Sequence, residues 1–195
     1  MAATLALAAL LGCDTQHSDY RYAMHLVLSG NAATGARMLH TLASIGHAPA
    51  QLRLGLLYQQ GHGVPQDPRR AAHWFERAAR QDDVGGQYLL AAAYQRGEGV
   101  PVSPEKAFEW FHRLAERGYA PAQFQVSRAY GKGEGVERDE RLAVQWLERA
   151  ANGEHHEAAK RLALAYRQGL MGLPEDPRQA EAWDCLLYTS DAADE

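Results

Sequence analysis

The chain is poor in what a β-sheet needs. Its 195 residues include one Ile and 8 Val, against 35 Ala and 23 Leu. Strands favour β-branched side chains and helices favour Ala and Leu, so this balance predicts an all-α fold. Cysteine is scarce too. Cys13 and Cys185 stand near opposite ends and make neither a disulfide framework nor a zinc spacing. Long runs of one charge are missing. The net charge is −4, and −1 without the last three acids, Asp191, Asp194 and Glu195. Lys and Arg are scattered singly at a pI near 6.1, which gives no basic stripe for phosphates and argues against a nucleic-acid partner. A near-neutral body also steers charged partners weakly. The apolar share of 46% and charged share of 23% argue against disorder and against a polytopic membrane protein.

What is present is repetition. Tyr58, Tyr94, Tyr130 and Tyr166 stand 36 residues apart, as do Gly61, Gly97, Gly133 and Gly169. Trp74, Trp110 and Trp146 keep the same step, and Trp183 follows one residue late. The slip has a local cause. Three turns read GHGV, GEGV and GEGV, placing second glycines at Gly63, Gly99 and Gly135, while the fourth, Gly169-Leu170-Met171-Gly172-Leu173, is one residue longer. A fixed period of this length is the mark of a repeat architecture.

Each unit reads as two helices. The first runs roughly Ala50–Gln60, with Leu54, Leu57 and Tyr58 at helical spacing, and Gly61 stops it in a left-handed conformation. The second opens at Asp67-Pro68, an N-cap followed by a residue favoured at the first helical position. Ser103-Pro104 and Asp176-Pro177 repeat that start, and Asp139 keeps the cap without the Pro. Ala71, Trp74, Phe75, Ala78 and Ala79 then form an apolar stripe. The Trp column is expected in the core between repeats, and truncating Trp110 to Ala is expected to cost on the order of 3–5 kcal/mol.

The pattern AxxxLGxxYxxGxGVxxDxxxAxxWxxxAA, read over Ala50–Ala79, resembles the SEL-one-like repeat, a relative of the tetratricopeptide repeat. The resemblance covers about Ala50–Asp184, roughly 70% of the chain. Repeat two departs from it at Gly86, Ala91 and Leu114, and repeat three at Ser127 and Leu142, all small or apolar changes. The resemblance implies a right-handed α-solenoid of stacked antiparallel helix pairs, non-catalytic, that binds a protein or peptide ligand without a cofactor. It divides the chain into repeats at 48–83, 84–119, 120–154 and 155–184, the last one truncated. Tyr22 and Ala43 fall 36 residues before Tyr58 and Ala79, so 19–47 is expected to be a degenerate first repeat or cap, joined through a linker at 13–18.

The two ends stand apart. Met1–Gly12 is apolar and uncharged, too short at about 1.5 Å per residue to span a bilayer core of about 30 Å. Followed by Cys13, as Leu10-Leu11-Gly12-Cys13, it is similar to the signal and lipobox of bacterial lipoproteins, although no Lys or Arg precedes the apolar run. That resemblance implies lipidation of Cys13 and a place at the bacterial cell envelope or periplasm, and without it a cytoplasmic one. A membrane is then a partner only through the anchor. Residues 185–195, CLLYTSDAADE, break the repeat pattern and look like an adapter translated in frame, a non-native tail. The helix before them, Pro177–Asp184, is expected to fray after two turns.

Chemistry is thin. The Gly-x-Gly turns follow helices rather than strands and recur on the repeat, which favours helix-ending turns over phosphate loops. In Glu154-His155-His156-Glu157 neighbouring side chains on a helix point about 100° apart, not in the i, i+4 pairing of a metal site, and His73 and His112 are isolated. No GxSxG elbow, SxxK or positioned base appears, nor the paired cysteines of family members linked to β-lactam binding. Hence no catalytic, cofactor or metal residues are assigned. Partner recognition is expected where equivalent positions differ. The columns are Leu52, Tyr88, Phe124 and Lys160; Leu56, Ala92, Arg128 and Leu164; and Gln60, Arg96, Lys132 and Gln168. From these, Leu52, Leu56, Tyr88, Arg96, Phe124, Arg128 and Lys132 are the candidate contacts, with burial of Tyr88 and Phe124 between repeats as the alternative. Two other roles stay open: a regulatory module of a membrane signalling system, and an accessory to a cell-wall hydrolase.

Overall fold

The computed structural model describes the backbone of residues 2–191 and the side chains of residues 15–185. Among the described residues there are ten helices and no strand. They are α1 (Ala2–Leu28), α2 (Ala32–Ser44), α3 (Ala48–Gln60), α4 (Pro68–Ala79), α5 (Val84–Arg96), α6 (Pro104–Glu116), α7 (Ala120–Lys132), α8 (Glu140–Asn152), α9 (His156–Gln168) and α10 (Pro177–Asp191). They form two compact units, one ending at Pro101 and the other beginning at Val102. In the first, each of α1 to α4 packs on the helix that follows it. In the second, each of α6 to α9 does the same.

The helix punctuation is the one the sequence predicts. Gly61, Gly97, Gly133 and Gly169 end α3, α5, α7 and α9 at φ of 63–73°. Asp67, Ser103 and Asp139 each accept a backbone N–H three residues on, from Arg70, Lys106 and Leu142. The hairpin loops are closed by a second bond at the same cap. Asp67, Asp139 and Asp176 donate their own N–H to the carbonyls of Tyr58, Tyr130 and Tyr166, at 2.8–3.0 Å. A close backbone approach then sets each of repeats one to three against the helix pair before it. A Cβ built on Gly99 would lie 2.0 Å from the Pro68 carbonyl oxygen, and one on Gly135 2.2 Å from that of Pro104. Gly63 meets Ala32 in the same way, at 2.5 Å. Ala32 opens α2 where Pro68 and Pro104 open α4 and α6, so the helix pair α1–α2 makes the same backbone contact with the first full repeat.

Polar and aromatic columns reinforce this stack. Gln51, Gln87 and Gln123 are buried, and their amides donate to the carbonyls of Ala43, Ala79 and Ala115 at 3.0–3.3 Å. Those carbonyls belong to last-turn residues of α2, α4 and α6 and also accept the backbone N–H of Gly46, Asp82 and Gly118 at 3.0–3.2 Å, so each glutamine adds a second bond at a helix end. The tryptophans pack on the preceding second helix. Trp74 meets the His40 ring edge-on at 5.6 Å, and Trp146 meets His112 at 5.5 Å. Arg77, Arg113 and Arg149, three residues after each Trp, lie over the indoles at 4.5–5.0 Å. Trp74 and Trp146 are buried, but Trp110 is half-buried. Its truncation therefore costs less than expected, and Trp146 is the position at which about 3–5 kcal/mol applies.

Three expectations need correcting. Residues 13–18 are no linker: they lie within α1, because CDTQHS contains neither Gly nor Pro to interrupt the helix. The last helix does not stop at Asp184 but runs to Asp191, again with no breaker in its way. Its Trp183 packs on the cluster of Phe124, Leu147, Ala150, Ala158 and Leu162, so the second helix of the fourth repeat has a packing partner. The first helices also begin earlier than predicted, α3 at Ala48. The Cys13 side chain, most of the 185–195 tail and the lipidation reading lie outside the described residues.

The second glycine of each turn is the position least able to carry a side chain. Gly99→Ala is expected to cost about 3 kcal/mol or more, from left-handed strain plus collision with the Pro68 backbone. Gly118, at φ 87° with nothing within 4 Å of an added methyl group, isolates the strain alone, and Gly118→Ala is expected to cost about 1 kcal/mol. Urea unfolding of both variants checks this. Equal losses would rule out the backbone contact.

Candidate functional site

Each unit carries a groove, and the candidate contacts that line one are all in the second unit. In the first unit a groove of about 310 Å³ lies between α3, α4 and α5. Phe75, Ala71, Ala72 and Ala93 make its apolar floor, and Gln59, Gln66 and Glu98 its rim. The Gln59 amide donates across to the Glu98 carboxylate at 3.3 Å and spans the seam between neighbouring repeats. Arg96 is not free to greet a partner. It grips Glu98 through two hydrogen bonds of 2.6 and 3.0 Å, and those bonds hold the Glu98 carboxyl below its usual range. Leu52, Leu56 and Tyr88 are half-buried on α3 and α5, and none of them lines this groove.

The second unit brings three candidates together. Phe124, Arg128 and Lys132, on successive turns of α7, line a groove of about 270 Å³ with residues of α8, α9 and the following turn. Phe124, Leu147 and Met171 give the apolar floor. Arg128, Lys132, Arg138 and Arg161 surround it, with Glu140 as the one carboxylate in the lining. Phe124 corrects one expectation, since it is 7% exposed and belongs to the core cluster rather than standing out as a contact. The His155 ring stacks on it at 4.5 Å and the Arg161 guanidinium lies 4.9 Å from its centroid. Lys132 pairs with Glu134 at 3.4 Å, Arg161 with Glu157 at 3.0 Å, and Arg138 with Glu140. Arg128 donates to the Gln125 side chain at 2.9 Å and, among the described residues, has no carboxylate partner.

Reading the sequence by column missed Leu147, Arg138, Arg161 and Met171. Leu147 comes from a second helix, Arg138 from the turn before it, and Arg161 from a first-helix position outside the three columns compared. Met171 had a signal, the one-residue-longer turn. The histidine cluster resolves without a metal. His155 caps α9, its Nδ1 accepting the Ala158 N–H at 3.2 Å, and His47 caps α3 in the same way on Ala50. Among the described residues no group of three or more His, Cys, Asp or Glu could hold a metal ion, and no helix is long and apolar enough to cross a membrane. His73 stacks edge-on against Trp74, and His112 sits against Phe108, Trp146 and Glu116.

Ten helices in antiparallel pairs, joined on a 36-residue period, define an all-α repeat protein of the solenoid class. The Sel1 repeat model matches residues 48–83, 84–119, 120–155 and 156–183, so the chain belongs to the Sel1 repeat family. A Sel1 repeat protein from Oxalobacter formigenes shares 26% identity at a TM-score of 0.79, covering 87% of this chain and 69% of its own. The protein c5321, a protective antigen of uropathogenic Escherichia coli strains with an SLR fold, shares 27% identity at a TM-score of 0.81. The match covers 90% of this chain and only 38% of c5321. MamA shares the fold alone, at 16% identity and a TM-score of 0.57, over 88% of this chain and 95% of its own. No curated protein matches the sequence.

The two histidine caps make stability depend on pH. Burial lowers both imidazole pKa values, with the charge of His17 adding to the effect at His47. At His155 the backbone hydrogen bond and Glu157 offset part of it. The unfolded chain, with imidazoles near 6.5, therefore binds more protons than the folded one. The caps' contribution is present above about pH 6.5 and is lost as pH falls below that value. The urea midpoint is expected to drop between pH 7.5 and 5, and His47→Asn with His155→Asn, which puts a non-titrating capping oxygen in place of the imidazole nitrogen, to flatten the slope. An unchanged slope in the double variant would place its origin elsewhere.

Proposed function

We propose that this chain is a non-catalytic scaffold that binds another protein through the second-unit groove, and that it works at the bacterial cell envelope. Sel1 repeat proteins generally act as protein-interaction scaffolds. The observation that carries the reading for this chain is the convergence of Arg128 and Lys132 on an apolar floor of Phe124, Leu147 and Met171. Interfaces concentrate their energy in such places, where an apolar anchor is buried beside a guanidinium. The fold is typically a scaffold rather than an enzyme, and the groove holds no nucleophile with a positioned base. The envelope placement rests on the apolar run before Cys13 and on nothing else.

A photo-crosslinking residue at Gln125, beside Arg128 on α7, is expected to give a saturable adduct with one protein in the native host. Arg128→Glu is expected to reduce it at least tenfold, and the same probe at Gln179 on α10 to give none. Equal labelling from both positions, or turnover of a cell-wall substrate by the purified chain, would overturn the scaffold reading. Radiolabelled palmitate is expected to join the protein and to be lost in Cys13→Ala. Its absence from the parent would remove the envelope from the proposal and leave the cytoplasm.

A further inference from the structure

Glycine inside a helix is destabilising unless packing requires it. Gly35, Gly55 and Gly86 are required. A Cβ would come within 2.6 Å of Val27 at Gly35, 2.5 Å of Phe75 at Gly55 and 2.7 Å of Ala78 at Gly86. Gly131 in α7 is different. Its nearest neighbour would be the Ala143 Cβ at 3.8 Å, an ordinary contact, so a side chain fits there. Equivalent positions in the earlier repeats hold Gln59 and Gln95, and Gln59 reaches across the seam to Glu98. At Gly131 no side chain makes that span.

A second departure meets the first. The longer turn after α9 holds Met171 at φ 57°, a left-handed conformation that costs a residue with a side chain. Met171 lies partly buried on the Phe124 cluster and lines the same groove as Gly131. Two unfavourable choices thus converge on one cavity. Its volume, about 270 Å³, lies at the small end of ligand sites, suited to single side chains rather than to a cofactor. Its charge is also specific. Lys132, Arg138 and Arg161 are each neutralised by a glutamate, while Arg128 faces the groove with only Gln125 beside it. The first-unit groove has one charged residue in its lining, Glu98, and Arg96 neutralises it.

We infer that the second-unit groove takes a short acidic peptide segment, seating a large apolar side chain on Phe124, Leu147 and Met171 and pairing a carboxylate with Arg128, and that Gly131 keeps the groove open for it. This rests on the scaffold reading and names the partner's chemistry at that site. An acidic segment finds an uncompensated guanidinium beside an apolar seat, whereas a basic one meets like charge.

Fluorescence anisotropy with three pools of labelled octapeptides tests it on the full chain. One pool flanks a central Leu or Phe pair with Asp and Glu, the second replaces the acids by Lys, and the third replaces the apolar pair by Ser. The first pool is expected to bind at least tenfold tighter than either of the others. Arg128→Gln is expected to erase the preference for acids over Lys. Gly131→Gln is expected to weaken the first pool at least tenfold while raising the melting temperature, which separates a filled groove from a damaged fold. Binding of the Lys pool as tight as the acidic one, no binding of any pool, or full binding by Gly131→Gln would overturn the inference. Should the Gln125 adduct persist alongside any of those results, the scaffold reading survives and only the acidic-peptide assignment falls.

Discussion

Repeats one to three are each fastened to the helix pair before them where no side chain fits. Gly63, Gly99 and Gly135 bring their α-carbons onto the first-turn backbone of Ala32, Pro68 and Pro104, 31 residues earlier in every case. A contact of that kind admits only glycine, and it sets the register of the stack without using side chains. The 36-residue period follows from it, since an insertion within a unit would move the glycine off its partner. Repeat four makes the point from the other side. Its turn is one residue longer, and among the described residues Gly172 has nothing within 4 Å of a Cβ position. The longer turn of repeat four is released from the constraint, and Met171 occupies the slack.

Backbone contact is reinforced by the buried glutamines. Gln51, Gln87 and Gln123 each add a side-chain bond to a carbonyl at the end of α2, α4 or α6 that the following turn already engages through a backbone N–H. A buried amide with a fixed acceptor is costly to misplace, so the column adds direction to a stack of otherwise interchangeable Ala and Leu. Repeat four has Ala159 in that column. The Arg–Trp pairs work at the outer edge, where the guanidinium stays in water and its stem covers the indole.

Much of this was legible in the residues. Helix starts and stops were written in single residues, Asp or Ser before and Gly after, because capping is a local interaction. The pairing of each turn with a helix start one unit earlier was not, since a contact between backbone atoms leaves no side-chain mark beyond a glycine. The glutamines at 51, 87 and 123 also stand on the 36-residue period, but their sequence carries no sign of burial, and only the structure reveals them as ties. The Glu154–Glu157 stretch, with His155, was weighed as a metal site, and His47 was not singled out. The place of both histidines one residue before a helix, aligned with Asp83, was the missed signal. Phe124, Arg128 and Lys132 were found because a varied column marks a surface, while the residues opposite them come from positions those columns do not include. The boundary errors at 13–18 and after Asp184 share one cause: pattern loss was read as helix loss, although nothing there breaks a helix.

A repeat protein carries its own control for such judgements, because each position has counterparts under nearly the same constraints. Departure from the column is therefore not enough to mark function. Asp82 and Glu154 adopt left-handed conformations where Gly46 and Gly118 stand in neighbouring repeats, yet neither lines either groove. Asp tolerates that conformation through its short polar side chain, and the strain at Glu154 has no partner to act on. Gly131 and Met171 differ from them in one respect. Each is unfavourable where it stands, they lie 40 residues apart in sequence, and they open onto a single cavity beside the one guanidinium of that rim without a carboxylate. Drift would scatter such costs along the array. Their meeting at one place is what selection for a ligand, rather than for stability, would leave behind.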